Sequence, residues 1–379
     1  DDSYLYYPRP RLIDLMAGKV VPEQAILYSD QWYAKRNIRN VLKHRVVEIQ
    51  PDAHRVIFQD GSQDGYDRLV LATGARNWVP PIPGADLDGV YTLRTMREAV
   101  KLRDLADRVS HAVMIGGGLL GLDMSAALRA HGIAVTVVEA LPWLLPRQLD
   151  AEGAAVLQSS IESMGIEVIT GGQDIRVVGN ERVERVEMSN GCVVPTGMVV
   201  VSTGIRPNIE LARAAGLACD RGVLVNEHLQ ADHPHIYAAG DVAEYARRVW
   251  GIIPAAVAQA RVVADQIVGH DEVVYHDIVP NTTLKVTGID VASMGEVHPQ
   301  GGGFREIRYT DTAHGIYKKV VLRDGHVVGA ILIGARNDLR AINQLVAGKI
   351  DVSAHEDELL DEGFDLMALA QSAGGMHRS

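Results

Sequence analysis

Residues 113–139 constrain this chain more than any other stretch. Val113-Met114-Ile115 is apolar and long enough for a short buried strand, and Gly116, Gly118 and Gly121 follow at G-x-G-x-x-G spacing. Leu119, Leu120, Leu122, Met124, Ala127 and Leu128 recur at helical spacing, and Gly132 is placed to end the helix. Val135-Thr136-Val137-Val138 predicts a second strand that ends in Glu139. A strand, a glycine turn, a helix and a strand closing on an acid form a dinucleotide-binding βαβ unit. The glycines have separate tasks. Gly116 permits the tight turn, Gly118 lets backbone approach a pyrophosphate, and Gly121 lets helix pack on strand. The helix start at Leu119 and Leu120 offers free N–H groups and partial positive charge to phosphate. Glu139 can accept hydrogen bonds from the ribose hydroxyls and would repel a 2′-phosphate, so NADH is the expected nucleotide, in preference to NADPH.

Composition narrows the remainder. A chain of 379 residues predicts two or three domains, and 47% hydrophobic residues are enough to bury cores. A formal net charge of −11 argues against non-specific nucleic-acid binding. No apolar run reaches the roughly 18 residues needed to span a bilayer. Cys192 and Cys219 form neither a C-x-x-C motif nor a close pair, which fits a reducing cytoplasm. The histidines are scattered; His233 and His235 flank a proline and are read as surface residues, and no metal site is expected. The chain begins Asp1-Asp2-Ser3 without Met, read as a fragment or processed product, so the sequence does not decide whether a leader precedes it.

Two segments echo each other on either side of the βαβ unit. Arg68-Leu-Val-Leu-Ala-Thr-Gly74 runs into a Pro-rich turn, and Met198-Val-Val-Val-Ser-Thr-Gly204 into Ile205-Arg206-Pro207. Both read as buried parallel strands ending in Thr-Gly, so the dinucleotide domain is expected as an insertion between them. Residues 44–60 predict a small β meander with an Asp-Gly turn. His235-Ile-Tyr-Ala-Ala-Gly-Asp241 predicts a short strand ending in Gly-Asp, with a helix from about Pro254. After residue 280 the pattern becomes strands, an Asp324-Gly325 hairpin and a helix over Leu339–Ala347, an α+β domain with an acidic end.

In this order the motifs resemble the pyridine nucleotide oxidoreductase superfamily that uses FAD and NAD. The likeness is to its members without a redox disulfide: rubredoxin reductases, flavorubredoxin reductases and the flavoprotein module of NADH-dependent nitrite reductases. It rests on Tyr7-Pro-Arg-Pro-Arg-Leu12, Ala72-Thr-Gly-Ala-Arg76, Thr203-Gly204, Ala239-Gly-Asp241 and Leu284-Lys-Val-Thr-Gly-Ile-Asp290. The resemblance implies an α/β fold of two Rossmann-like three-layer nucleotide-binding domains, the FAD one incomplete, plus an α+β C-terminal domain. The expected division is 1–79 (FAD, first part), 80–200 (NAD), 201–275 (FAD, second part) and 276–379 (C-terminal). It implies FAD contacts at Arg9, Val46, Ala72, Thr73, Gly74, Asp241, Pro254 and Ala255. NAD contacts are implied at Gly204 as well as at Gly116, Gly118, Leu119, Leu120, Gly121 and Glu139. Asp241 would hold the ribityl chain, and the helix from Pro254 would point its N-terminus at the flavin N1–C2=O edge. The latter also follows physically, because reduction leaves negative charge on that edge.

Three departures stand out. The family opens with its own glycine βαβ unit for FAD, about 30 residues long, and this chain carries only the fingerprint at Gly116. Asp123 stands where many relatives have Glu and is assigned no role. The early segment has no redox-active cysteine, and Cys192, beside an Asn-Gly turn, is read as structural.

The implied activity is hydride transfer from NADH to FAD, with the reacting atoms about 3–3.5 Å apart, and electron export to a rubredoxin-, ferredoxin- or nitrite-reductase-type acceptor. No protein acid or base is required, so no catalytic residue is named. Arg247-Arg248 and Lys318-Lys319 are read as solvated basic pairs. A homo-oligomer is compatible with the sequence. The alternative is an NAD-binding subunit of a heteromeric flavoenzyme with no catalysis of its own. A membrane-bound quinone reductase is disfavoured by the acidic stretch Glu356–Glu362.

Overall fold

The computed structural model describes residues 3–277, 281–361 and 363–372; Glu362 of the acidic stretch lies outside them. The chain divides into two compact units. The first contains residues up to 79, 93–101 and 204–278; the second contains 80–92, 102–203 and the residues from 279 on.

In the first unit the meander forms as expected from Val46–Gln50, Arg55–Phe58 and Gln63–Gly65, paired antiparallel. Leu69–Leu71 pairs in parallel with Ile236–Ala238, and among the described residues these two strands form a sheet of two. The stretches after the two Thr-Gly turns meet as an antiparallel ribbon, Ala75–Asn77 against Ile205–Pro207. Ile49, Leu71, Val223, Ile236, Ala238 and Val242 make the apolar core. A helix over Ile253–Ile267 turns Ala255, Gln259, Val262 and Val263 inward.

The second unit holds a five-stranded parallel sheet. Its order is Val90–Tyr91, Met198–Val201, His111–Ile115, Ala134–Glu139 and Ile166–Thr170. The central strands are buried on both faces, which explains their unbroken Val, Ile and Met runs. The helix Leu119–Ala130 connects two of them. A C-terminal antiparallel sheet belongs to the same unit, ordered 281–286, 289–295, 326–333, 316–323 and 304–311. Its tight turn has Asp324 at φ +50° and Gly325 at φ +73°, as the Asp-Gly pair predicts. The helix Leu339–Gly348 covers it through Ala341, Ile342 and Leu345.

One side-chain cluster fastens that sheet to the parallel layer. Asp150 caps the helix Ala151–Ser163 by accepting the Gly153 N–H at 3.0 Å. It also accepts the Tyr317 hydroxyl at 2.8 Å and lies 3.2 Å from the Lys319 ammonium. Lys319 is 2% exposed and has two further acceptors, Glu306 at 3.2 Å and the Val297 carbonyl at 3.0 Å. The reading of Lys318-Lys319 as a solvated pair is therefore corrected. Strand alternation puts the two on opposite faces, and Lys318 is paired to Asp338 at 2.6 Å.

Candidate cofactor sites

The glycine turn is shaped by what cannot fit there. Gly116 has φ +110°, and a Cβ on it would lie 2.3 Å from the Ser202 carbonyl oxygen. A Cβ on Gly121 would lie 2.1 Å from the Gly116 carbonyl oxygen. Both are fixed by close backbone approach. Gly118 differs: nothing lies within 4 Å of where its Cβ would be. It is also the N-cap of Leu119–Ala130, and no side chain caps that helix start. The first-turn N–H groups thus have no side-chain cap, beside a residue with no side chain, an arrangement that fits a pyrophosphate. Gly117, absent from the expected set, is constrained more softly, since a Cβ there would meet the end of the Leu144 side chain at 2.5 Å and the Glu139 Cβ at 3.1 Å rather than backbone.

Glu139 ends the second strand beside this turn. Its Oε2 accepts the Gly117 N–H and its Oε1 the Leu141 N–H, each at 2.8 Å. Each oxygen keeps a further lone pair, so two fixed donors orient the carboxylate and leave it able to accept ribose hydroxyls. Gly204 is the remaining residue expected at NAD. It is in the first unit, at φ +107°, where its carbonyl accepts the Trp78 N–H at 2.9 Å.

The first unit gathers most of the residues expected to hold flavin. Asp241 follows the buried strand Ile236–Ala238 across a turn in which Gly240 has φ +81°. The Gly240 N–H donates to the buried Gln259 side chain at 2.8 Å, which ties the turn to the helix Ile253–Ile267. Asp241 Oδ2 accepts from Arg9 at 3.1 Å and from Arg94. The Arg94 guanidinium also donates to the Ala75 carbonyl at 3.0 Å, and burial, then the neighbouring Arg9, pull its pKa down. Sequence reasoning did not name Arg94. Its only local signal is the run Arg94-Thr95-x-x-Glu98, in which Glu98 accepts both the Arg94 and Thr95 N–H groups.

Arg9 also lies 3.5 Å from where a Gly74 Cβ would be. Thr73 is stitched to Asn208 by two hydrogen bonds of 3.0 and 2.9 Å, which fixes the turn after the exposed Ala72. Arg11 turns away and donates to the Gln24 carbonyl at 2.9 Å. Pro254 stands in the first turn of Ile253–Ile267, whose N-cap Ile252 offers no side-chain cap; Ala255 is buried there. Val46 is in the first strand of the meander, partly buried against the core.

Asp123 accepts the Thr287 N–H at 2.9 Å, and burial raises its pKa. The cysteines are free and only partly buried. His54, which sequence reasoning did not single out, joins His233 and His235, with ring centroids 4.5–6.3 Å apart. Arg68 sits 2.8 Å from His235 Nδ1, and among the described residues no group of three or more His, Cys, Asp or Glu is placed to hold a metal.

Residues 6–260 match the family described as pyridine nucleotide-disulphide oxidoreductase, and 280–350 match the rubredoxin NAD+ reductase C-terminal domain. The chain belongs to the pyridine nucleotide-disulphide oxidoreductase family. Family relatives bind FAD and NAD(P)H. The chain is 33% identical over 347 residues to the nitrite reductase [NAD(P)H] of Bacillus subtilis, covering 92% of this chain and 43% of that protein. It is 32% identical to the ferredoxin–NAD(+) reductase component of a biphenyl dioxygenase system from Paraburkholderia xenovorans, covering 98% and 91%. The crystal structure of the ferredoxin reductase for the CYP199A2 system of Rhodopseudomonas palustris aligns with TM-score 0.86 at 29% identity, covering 98% and 92%. The chain spans less than half the length of the nitrite and nitrate reductase proteins it matches. The family likeness read from the motifs is borne out, as is the fold of Rossmann-like α/β nucleotide-binding domains with a C-terminal domain. Among the described residues, no helix is long and apolar enough to cross a membrane.

Proposed function

We propose that this chain takes hydride from NADH onto FAD and delivers the electrons to an external redox protein. The observation that carries the reading is the open, uncapped helix start at Gly118, with Glu139 oriented beside it. The N–H groups of Leu119 and Leu120 would hold the NADH pyrophosphate, with Gly116 and Gly121 keeping that cradle closed behind. Glu139 would take the ribose and disfavour a 2′-phosphate.

On the flavin side, Asp241 would accept from the ribityl hydroxyls, oriented by Arg9 and Arg94. Thr73 and Gly74 form the turn beside it, and Gly204 would be a further contact for NAD. The uncapped start of Ile253–Ile267, with Pro254 and Ala255, would stabilise negative charge. Ile252, Ile253 and Val257 are 40–53% exposed there, an apolar surface suited to a flat ring. Val46 would lie near the other end of the cofactor. FAD, when bound, supplies the hydride acceptor and the one-electron chemistry. This chain's residues bind, orient and set charge, and no acid–base side chain is assigned.

A rubredoxin- or ferredoxin-type acceptor is proposed because such carriers are named for the relatives. The cytoplasm is the proposed location, on the ground that both cysteines are unpaired. The second reading, an NAD-binding subunit, is favoured by one observation. The parallel strand Leu69–Leu71 pairs on one side only among the described residues, which leaves an open edge beside the flavin residues.

A visible spectrum of the chain incubated with FAD and freed of excess, before and after anaerobic NADH, tests the choice. Flavin bands that persist and bleach support the reductase. Retained flavin that NADH does not bleach refutes it. No retained flavin, with NADH still bound, selects the NAD-binding subunit.

A further inference from the structure

Two tight turns of the C-terminal sheet are built from different residues. Asp324-Gly325 joins the paired residues Arg323 and His326, and Thr287-Gly288 joins Val286 and Ile289. Each has positive φ at both positions, +50° and +73° in the first, +53° and +93° in the second. Aspartate tolerates that conformation, whereas a β-branched threonine is an outlier there. The Thr287 hydroxyl is also buried and makes no hydrogen bond, a second local cost. A turn that keeps both costs is held by something outside itself.

What meets the turn is the helix Leu119–Ala130. The Thr287 N–H donates to Asp123 Oδ1 at 2.9 Å, and both residues belong to the second unit. Asp123 follows Leu119 by four positions, so it lies on the same face one turn along, about 6 Å further down the axis. Burial pushes the Asp123 pKa up, and the Thr287 N–H opposes that. The inner face of the helix, Leu122, Met124, Ala127 and Leu128, packs through apolar contact, which is non-directional. The Ser125 hydroxyl donates to the Gly121 carbonyl inside the helix, whereas the Asp123 bond reaches out of it and fixes a direction.

We propose that Asp123 is a positioning residue for the dinucleotide: its bond to the Thr287 turn holds the uncapped helix start where the Leu119 and Leu120 N–H groups meet the pyrophosphate. The inference rests on the pyrophosphate placement proposed above. Movement at Asp123 tilts the turn of helix that carries Leu119, and hydrogen bonds weaken steeply as the donor angle departs from linear. The C-terminal sheet thereby contributes to nucleotide affinity through the helix.

The test titrates the full chain with NADH by fluorescence and displaces that NADH with ADP-ribose, which carries the pyrophosphate and lacks the nicotinamide. Asp123→Ala should weaken both ligands by roughly tenfold, and Asp123→Asn, which keeps an acceptor oxygen, should stay within about twofold of wild type. A lower urea midpoint for Asp123→Ala with both affinities unchanged would make the bond a purely structural tie and overturn the proposal. Weakening of NADH alone would put Asp123 at the nicotinamide end, and an Asp123→Asn variant as weak as Asp123→Ala would make charge the requirement; either result also overturns it. Gly118→Ala, run alongside, separates this inference from the placement it rests on. If Gly118→Ala weakens ADP-ribose and Asp123→Ala does not, the positioning alone fails. If Gly118→Ala binds both ligands as wild type does, the pyrophosphate placement has failed and the positioning falls with it.

Discussion

Gly116 and Gly118 lie two residues apart in one motif, yet alanine at each should have opposite consequences. At Gly116 the backbone has φ +110°, and the new Cβ would stand 2.3 Å from the Ser202 carbonyl oxygen. A left-handed non-glycine residue costs about 1–3 kcal/mol, and relieving a backbone overlap of that size adds to it. Gly116→Ala should therefore lose at least about 2 kcal/mol of stability. At Gly118 the backbone is ordinary, φ −78° and ψ 173°, and nothing lies within 4 Å of the added atom. Its only structural cost is the poorer N-cap, roughly 0.5–1 kcal/mol. The methyl group would instead occupy the space in front of the uncapped N–H groups, so NADH affinity should fall by about tenfold or more, about 1.4 kcal/mol. Urea unfolding and an NADH fluorescence titration, run on both variants, read the two effects separately. Gly118→Ala binding NADH with wild-type affinity would refute the placement of the pyrophosphate. Gly116→Ala unfolding at the wild-type midpoint would refute the steric argument.

Other substitutions probe the remaining assignments. Glu139→Arg should move the NADH/NADPH ratio of kcat/KM toward NADPH by at least about tenfold, by removing repulsion and adding a cation for the 2′-phosphate; an unchanged ratio would discard Glu139 as the ribose acid. Asp241→Ala should weaken flavin retention and leave Arg9 and Arg94 facing each other without a carboxylate between them. Equal FAD content after gel filtration would remove Asp241 from the site. Lys319→Met leaves Asp150 and Glu306 without their buried cation and should cost about 3–5 kcal/mol in urea unfolding; a loss under 1 kcal/mol would show the joint to be idle. The same joint sets an acid limb. Burial raises the Asp150 pKa, but the Gly153 N–H, the Tyr317 hydroxyl and Lys319 together hold it below the usual 3.8. Its stabilisation is present above the unfolded carboxylate pKa, about 3.9, and is lost as pH falls through the lower folded value. Asp150→Asn should flatten the stability profile in that window, and a profile as steep as wild type would assign the acid limb to other groups.

What the sequence disclosed and what it hid follow from how far each interaction reaches along the chain. The glycine turn was legible because its spacing is local: turn, cradle and helix start lie within six residues. Gly117 was missed in the same run because its constraint comes from Leu144 and Glu139, more than twenty positions away. Asp241 was legible from Gly-Asp after a buried strand, but Arg94 was not, because its partner is 147 residues distant and nothing about an isolated arginine marks it as buried. Lys319 shows the same limit with the sign reversed. Two adjacent lysines look solvated, and only the arrival of Asp150 and Glu306 from other elements makes one of them a buried tie. Charged residues that act in pairs are thus the part of this fold that sequence reading sees least well. Those are the groups that orient Asp241 and fasten the C-terminal sheet, while apolar strands and glycines report themselves.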